Sequence, residues 1–364
     1  MSTKLIYQFL FILGFAPAML FANNNPNWIG VHTKEKTIKK EFSVSKDATL
    51  RVDNSYGNIN VTTYEGATIS IEVHIKTNGN DEDNVREKLN DITVEFSGTN
   101  AMVSAKTLFN KNKSKSWWNW GNNSNVNMEV NYIIKLPITN NVDLNNDYGS
   151  INLDRLEGRA TINCDYGKIN TKELLADNNA ISFDYTNNCY FEYIKSGKIN
   201  ADYSSFTVGK AKNLDISADY TKSEVEVAEN VNYNCDYGSV EINNANNVNG
   251  NGDYLTVRLG TIYKNVSIRA DYGSIKIDNM AANAGNIEIE SDYNGITIGF
   301  DPAYHFSFDI DLEYASLRED SAFQFNKKRI ESSDKYYQGF YGSGNSGNQI
   351  KIKSDYGSVT FKKN

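Results

Sequence analysis

The sequence predicts an all-β chain wound as a β-solenoid. The form expected is a parallel β-helix with a single strand per side and coils of about 17–21 residues; the repeat leaves its hand open, and crossover geometry favours a right-handed course. An N-terminal β-rich cap containing one short helix completes it. Three observations predict this fold. The corner D-Y-G-S is spelled identically at 147–150, 236–239, 271–274 and 355–358. The tyrosine of this corner and its looser copies falls at 148, 166, 185, 203, 220, 237, 254, 272 and 293, followed by Glu313-Tyr314 and Tyr356. Aligned on that tyrosine, apolar residues form columns at alternate positions, the period of a strand.

The columns decide between two all-β architectures. Four residues before the tyrosine stand Ile162, Ile181, Ile199, Ile216, Ile268, Ile289, Ile310 and Ile352; three after it stand Ile151, Ile169, Phe206, Val240, Val257, Ile275, Ile296, Leu317 and Val359. Two before it the residues are nearly all small, among them Cys164, Ala201, Ala218 and Cys235. A sandwich of hairpins would reverse successive strands and scatter such columns. Parallel coils at about 4.8 Å superimpose them into one continuous core.

Taken from the start of the chain, residues 1–22 read as a signal peptide. Lys4 opens it, "LIYQFLFILGFAPAMLF" supplies the apolar stretch, and Ala22 offers the cleavage point. Pro17 interrupts the stretch, which argues against a membrane anchor, and no cysteine follows it to carry a lipid. No later segment approaches the roughly 20 apolar residues of a membrane span. The expected location is outside the cytoplasm: periplasm, outer surface or extracellular space.

Residues 23–142 are expected to cap the first coil. "TLRVDNSYGNINVTTYEGATISIEVHIKT" alternates as strands around a further corner at Tyr56. "DEDNVREKLNDI" at 81–92 reads as a helix, acidic at its start, with Val85, Leu89 and Ile92 on one face. Residues 109–125, "FNKNKSKSWWNWGNNSN", read as a long loop bearing Trp117, Trp118 and Trp120. Residues 143–364 form the repeat domain. An insertion at about 319–349 mixes glycine and aromatics without a period and carries Tyr336, Tyr337, Phe340 and Tyr341.

At each corner the aspartate is expected to accept the N–H two residues on, an Asx turn. Gly149, Gly167, Gly238, Gly273 and Gly357 are expected to supply positive φ at the reversal. The tyrosine rings should stack along one edge.

The corner repeat, together with "ATLRVDNSYGNINVTTYEGATISIEVHIKTNGND" at 48–81, resembles the "putative adhesin" β-strand repeat family, the DUF4097 or toastrack group. It is also similar to the head-GIN-domain adhesins. The resemblance spans about 36–364. It implies an exported or membrane-attached envelope protein with one sheet per side of a β-helix and no catalytic residues to carry over. Some relatives are implicated in sensing envelope stress or antimicrobial peptides.

Chemistry-bearing residues are few. The net charge of −8 disfavours nucleic acid, which selects basic patches. The three histidines, His32, His74 and His305, form no triad pattern, and no G-x-S-x-G elbow occurs. Cys164, Cys189 and Cys235 are expected to be free thiols; Cys164 and Cys235 share a column four coils apart, beyond disulfide reach. Asp147, Asp165, Asp184, Asp202, Asp219, Asp236, Asp253, Asp271 and Asp292 should line one edge. Turn capping explains them without metal, weak calcium binding is a second role, and carbohydrate chemistry by paired carboxylates a third. No cofactor is expected.

These features predict a non-enzymatic envelope or cell-surface protein, an adhesin or scaffold presenting a repetitive surface to an envelope protein, glycan or peptide. The binding residues expected are Trp117, Trp118, Trp120, Tyr336, Tyr337, Phe340 and Tyr341; for the tryptophans, covering the solenoid end is the competing role. The alternatives are an envelope-stress protein that captures a cationic peptide on its acidic edge, and a carbohydrate-active β-helix enzyme.

Overall fold

A computed structural model describes residues 28–110, 126–319 and 321–364. Residues 1–22, expected to be a signal peptide, and the tryptophans Trp117, Trp118 and Trp120 lie outside the described residues.

Each coil consists of two strands meeting at the tyrosine corner, as in Ala160–Asp165 and Lys168–Leu174. In the middle of the domain the far corner is smooth enough for strands to run through it. Cys189–Asp202, Ser205–Asp219 and Lys222–Asp236 each close one coil and open the next. Successive coils pair in parallel with identical registers: Ile162 on Ile181, Ile181 on Ile199, Ile199 on Ile216. The column continues through Ile268, Ile289 and Ile352 to Ile310. Alternation sends these side chains inward, where all are essentially inaccessible. At about 1.5–3 kcal/mol for each fully buried aliphatic side chain, the columns dominate stability. The solenoid predicted from the repeat is the observed fold.

Ladders also run outside. Asn152 donates to Asn60 and Asn170 to Asn152; Asn230, Asn247 and Asn265 repeat the pattern with Asn213 at its head. Stacked amides satisfy one another at coil pitch, which accounts for the asparagine-rich composition.

The order of coils in space departs from the order in sequence at both ends. At the N-terminal end, Thr49–Ser55 and Ile59–Tyr64 form a coil on Asn141–Asp147 and Ser150–Leu153. A further coil, Met102–Phe109 with Asn127–Pro137, lies beyond it. The parallel stack therefore begins at 49, within the region expected only to cap. Capping falls to antiparallel strands: Ile92–Gly98 on Met102–Phe109, Thr68–Gly79 on Asn127–Pro137, and His32–Ser43 outermost on Thr68–Gly79. The helix is present at Glu82–Asp91, N-capped by Asp81, whose side chain accepts from the Asn84 N–H, with Val85 and Leu89 buried. Lys36 Nζ closes its other end by donating to the Leu89 and Ile92 carbonyls.

At the C-terminal end the last coil in sequence is not last in space. Gln349–Asp355 and Ser358–Lys363 insert between the coil at 287–300 and the coil at 306–318, pairing in parallel with both. Tyr356 therefore does not follow Tyr314; it precedes it. The segment at 319–349, expected as an irregular insertion, contains a β-hairpin, Phe323–Glu331 with Asp334–Tyr341, laid antiparallel on Phe306–Glu313. Its aromatic residues close the apolar end. Phe323 packs on Phe300, Phe306, Phe308 and Phe361, and Phe325 on Phe308.

Candidate functional site

The tyrosine corners form the most continuous surface feature. Twelve tyrosines, from Tyr56 to Tyr356, hold φ between 50° and 62°. This corrects the sequence expectation: the left-handed residue of the corner is the tyrosine, not the glycine after it. A non-glycine residue there costs about 1–2 kcal/mol. The conformation turns each ring out along the edge, where it stacks on the next, and an aromatic pair returns about 0.5–1.5 kcal/mol. Glycine is used for space instead. A Cβ on Gly167 would stand 1.9 Å from the Gly149 carbonyl oxygen of the preceding coil.

Eleven stacked pairs join the rings in the order Tyr56, Tyr148, Tyr166, Tyr185, Tyr203, Tyr220, Tyr237, Tyr254, Tyr272, Tyr293, Tyr356, Tyr314. Centroids are 4.7–5.2 Å apart and planes within 10° of parallel. The stack is roughly 50 Å long at coil pitch. All but Tyr56 are about half exposed. Removal from water, with neighbouring tyrosines and aspartates adding to it, raises the phenol pKa of Tyr166, Tyr203, Tyr237, Tyr272 and Tyr356.

The aspartates also differ from expectation. Seven of them, Asp165 to Asp271, reach the next coil instead of capping their own turn. From Asp165 to Asp292, seven consecutive bonds run from the backbone N–H of one aspartate to Oδ1 of its predecessor, at 2.7–3.2 Å. The Tyr N–H in turn donates to the carbonyl of the next coil's aspartate, as from Tyr185 to Asp202. The corner is thus stapled between coils by backbone and carboxylate together. Asp147 lies at the head of the row with its pKa raised by burial and by Asp165 and Asp53.

Stacked carboxylates carry a cost that can be measured. Burial, then the charges of Asp165 and Asp202, raise the Asp184 pKa, against the opposing bond from the Asp202 N–H. An acid whose pKa is higher folded than unfolded favours folding most below the unfolded value, and loses that contribution as pH rises through the folded value. Asp184→Asn keeps an acceptor oxygen and removes the charge. It is expected to stabilise the protein at neutral pH by up to about 1 kcal/mol, with the gain shrinking as pH falls into the carboxylate range. Asp184→Ala is expected to cost about 1 kcal/mol by leaving the Asp202 N–H unpaired. Thermal melts across pH check both signs.

Among the described residues no group of three His, Cys, Asp or Glu side chains is arranged to hold a metal ion. Cys164, Cys189 and Cys235 are buried and free, and burial pushes their thiols up to about 12, 11 and 12.

The second cluster expected to bind is largely spent on the cap. Tyr337 and Tyr341 are buried, Phe340 is half-buried, and the Tyr336 hydroxyl donates to Asp309 Oδ2 at 2.9 Å. The segment carrying Trp117, Trp118 and Trp120 joins Met102–Phe109 to Asn127–Pro137, and its leading residue Phe109 meets Tyr56 edge-on at 5.9 Å. Phe109 thus stands at the end of the tyrosine column. Sequence reasoning missed a shallow groove of about 270 Å³ at the opposite corner, floored by Ala211, Ala228 and Ala245 between Tyr193 and Tyr263. Its signal was three successive alanines in a column otherwise filled by Ile194, Ile262 and Met280.

No protein-family model matches the chain, and no curated protein matches it. Among solved structures it is similar to a "putative adhesin" from Parabacteroides merdae, at 12% identity and a TM-score of 0.32, covering 90% of this chain and 96% of that one. It is similar to a "putative adhesin" from Parabacteroides distasonis, at 9% identity and a TM-score of 0.32, covering 90% and 97%. It is also similar to a "putative cell adhesion protein" from Clostridium sporogenes, at 12% identity and a TM-score of 0.18, covering 91% and 100%.

Proposed function

We propose that this chain acts by binding rather than catalysis, as an exported adhesin or scaffold of the cell envelope, and that the tyrosine and aspartate edge is its main contact surface. The observation that carries this reading is the unbroken column of half-exposed tyrosines beside a row of carboxylates. Half-exposed tyrosines offer large contact area with little rotamer entropy left to lose, the property that enriches them at interfaces. The resemblance of the corner repeat to the toastrack group supports an envelope role.

The test uses the full chain, immobilised and exposed to envelope extract. The triple variant Tyr203→Asn/Tyr220→Asn/Tyr237→Asn removes three rings while keeping a residue that tolerates left-handed φ. It is expected to lose species that the wild type retains, with melting curves confirming that it is folded. If it and Trp117→Ala/Trp118→Ala/Trp120→Ala both keep the wild-type profile, the binding reading fails.

The acidic row favours a second reading, capture of a cationic peptide. Polylysine binding that weakens as salt rises, through screening of the carboxylates, would favour it. Shortened products from a polysaccharide panel would instead indicate the carbohydrate-active alternative.

A further inference from the structure

We propose that the tyrosine edge is a site of oxidative cross-linking, at which successive coils become joined by carbon–carbon bonds between neighbouring phenols. The proposal is independent of any binding role of the same edge. Phenols couple at the carbons ortho to oxygen when two of them are oxidised by one electron each while in contact. The ladder supplies contact along its whole length, since every ring from Tyr56 to Tyr314 is held face to face with the next at 4.7–5.2 Å. It also supplies access: Tyr148 is 53% exposed, Tyr220 50% and Tyr356 51%. The parallel register already fixes the coil spacing, so joining two rings requires that their exposed edges tilt toward each other until two ortho carbons meet.

The oxidant is hydrogen peroxide turned over by a haem peroxidase. For each link, one ortho C–H bond breaks on each ring and one C–C bond forms between them. Two hydrogens leave as two protons and two electrons. Peroxide takes them up, its O–O bond breaks, and two waters result. Both phenol hydroxyls remain on the product. A solenoid coil is held only by its nearest neighbours and frays from its ends. A covalent bond between adjacent rungs opposes that fraying directly, an advantage for a rod exposed outside a cell.

Three exposed tyrosines provide internal controls. Tyr64, Tyr190 and Tyr263 are exposed at 39%, 41% and 48%, and among the described residues none stacks on another tyrosine.

The experiment treats dilute full-length protein with a haem peroxidase and substoichiometric peroxide. The monomer is then isolated by gel filtration and its linked peptides mapped by mass spectrometry. The expected result is intramolecular pairs, two hydrogens lighter than their parents, between neighbouring rungs such as Tyr148 with Tyr166 and Tyr203 with Tyr220. At the C-terminal end the map should join Tyr293 to Tyr356 and Tyr356 to Tyr314, but not Tyr293 to Tyr314. The variant Tyr203→Phe/Tyr237→Phe keeps the stacking and isolates Tyr220. It should abolish links at Tyr220 and leave the distant rungs unchanged. A monomer without ladder links, links at Tyr64, Tyr190 and Tyr263 as frequent as those on the ladder, or links at Tyr220 surviving in the variant would each overturn the proposal.

Discussion

A chain ending at residue 348 is expected to lose its C-terminal cap and to melt far below the full-length protein. The deleted coil contributes Ile350, Ile352, Val359 and Phe361 to the core, all nearly inaccessible. At about 1.5–3 kcal/mol per buried side chain, their loss alone is comparable to the whole stability of an ordinary domain. The larger effect is geometric. The coil at 306–318 is joined by parallel strand pairing to the solenoid through the inserted coil, with Ile310 on Ile352 and Leu317 on Val359, and otherwise meets it by ring contacts such as Phe306 on Phe300. Remove the spacer and this coil, with the hairpin paired to it, has no parallel partner. Hydrogen exchange should show protection lost across 306–341 while coils near Tyr203 and Tyr220 retain it. Protection unchanged at 306–341 would mean that the cap does not depend on the inserted strands. A milder version, Ile352→Ala, is expected to cost about 2–5 kcal/mol by opening a cavity in the isoleucine column.

The same inserted coil marks the limit of what the sequence made legible. Column identity is readable because coils place equivalent residues in contact, so Ile162, Ile181 and Ile199 announce one another. It specifies that coils stack, not in which order. Ile350, Ile352 and Val359 fit against any neighbour that presents isoleucine and valine at those heights. Order is set by the hairpin at 323–341, whose antiparallel pairing with Phe306–Glu313 occupies the outer edge of that coil and leaves the inner edge for the last strands. The aromatics of that hairpin lacked a period because they plug an end instead of continuing a column. Phe323 and Tyr341 meet several different rings, not a like residue above and below.

The corner was legible as a corner and misassigned in its parts, for a related reason. Local rules give positive φ to glycine and a local bond to aspartate. Contacts between coils override both: the ring stack rewards the left-handed tyrosine, and the neighbouring N–H takes the carboxylate. Repetition multiplies a contact between coils along the whole rod, so a preference that would lose at one isolated turn prevails when every rung adopts it together.

The Tyr233–Gly250 pair breaks the isoleucine column and makes the sharpest test of packing between coils. Ile216 lies against Tyr233, Tyr233 against Gly250, and Gly250 against Ile268. The ring of Tyr233 fills the space of two side chains; a Cβ on Gly250 would stand 1.9 Å from its Cζ. Gly250→Ala is therefore expected to destabilise by about 1–3 kcal/mol through overpacking. Tyr233→Ile alone shortens the side chain over an empty glycine and should cost about 2–5 kcal/mol as a cavity. Combined, the two changes remove the clash and fill part of the void, so the double variant is expected to recover about 0.5–3 kcal/mol relative to the sum of the singles. The hydroxyl gives an independent sign. Tyr233 is 4% exposed and its phenol oxygen has no hydrogen-bond partner, so its desolvation is uncompensated. Tyr233→Phe keeps the ring and deletes that oxygen, and should raise stability by about 1 kcal/mol or more. Denaturant melts of the four variants decide the matter: additive singles would deny that the ring and the glycine were fitted to each other, and a destabilised Tyr233→Phe would mean that the hydroxyl has a partner after all.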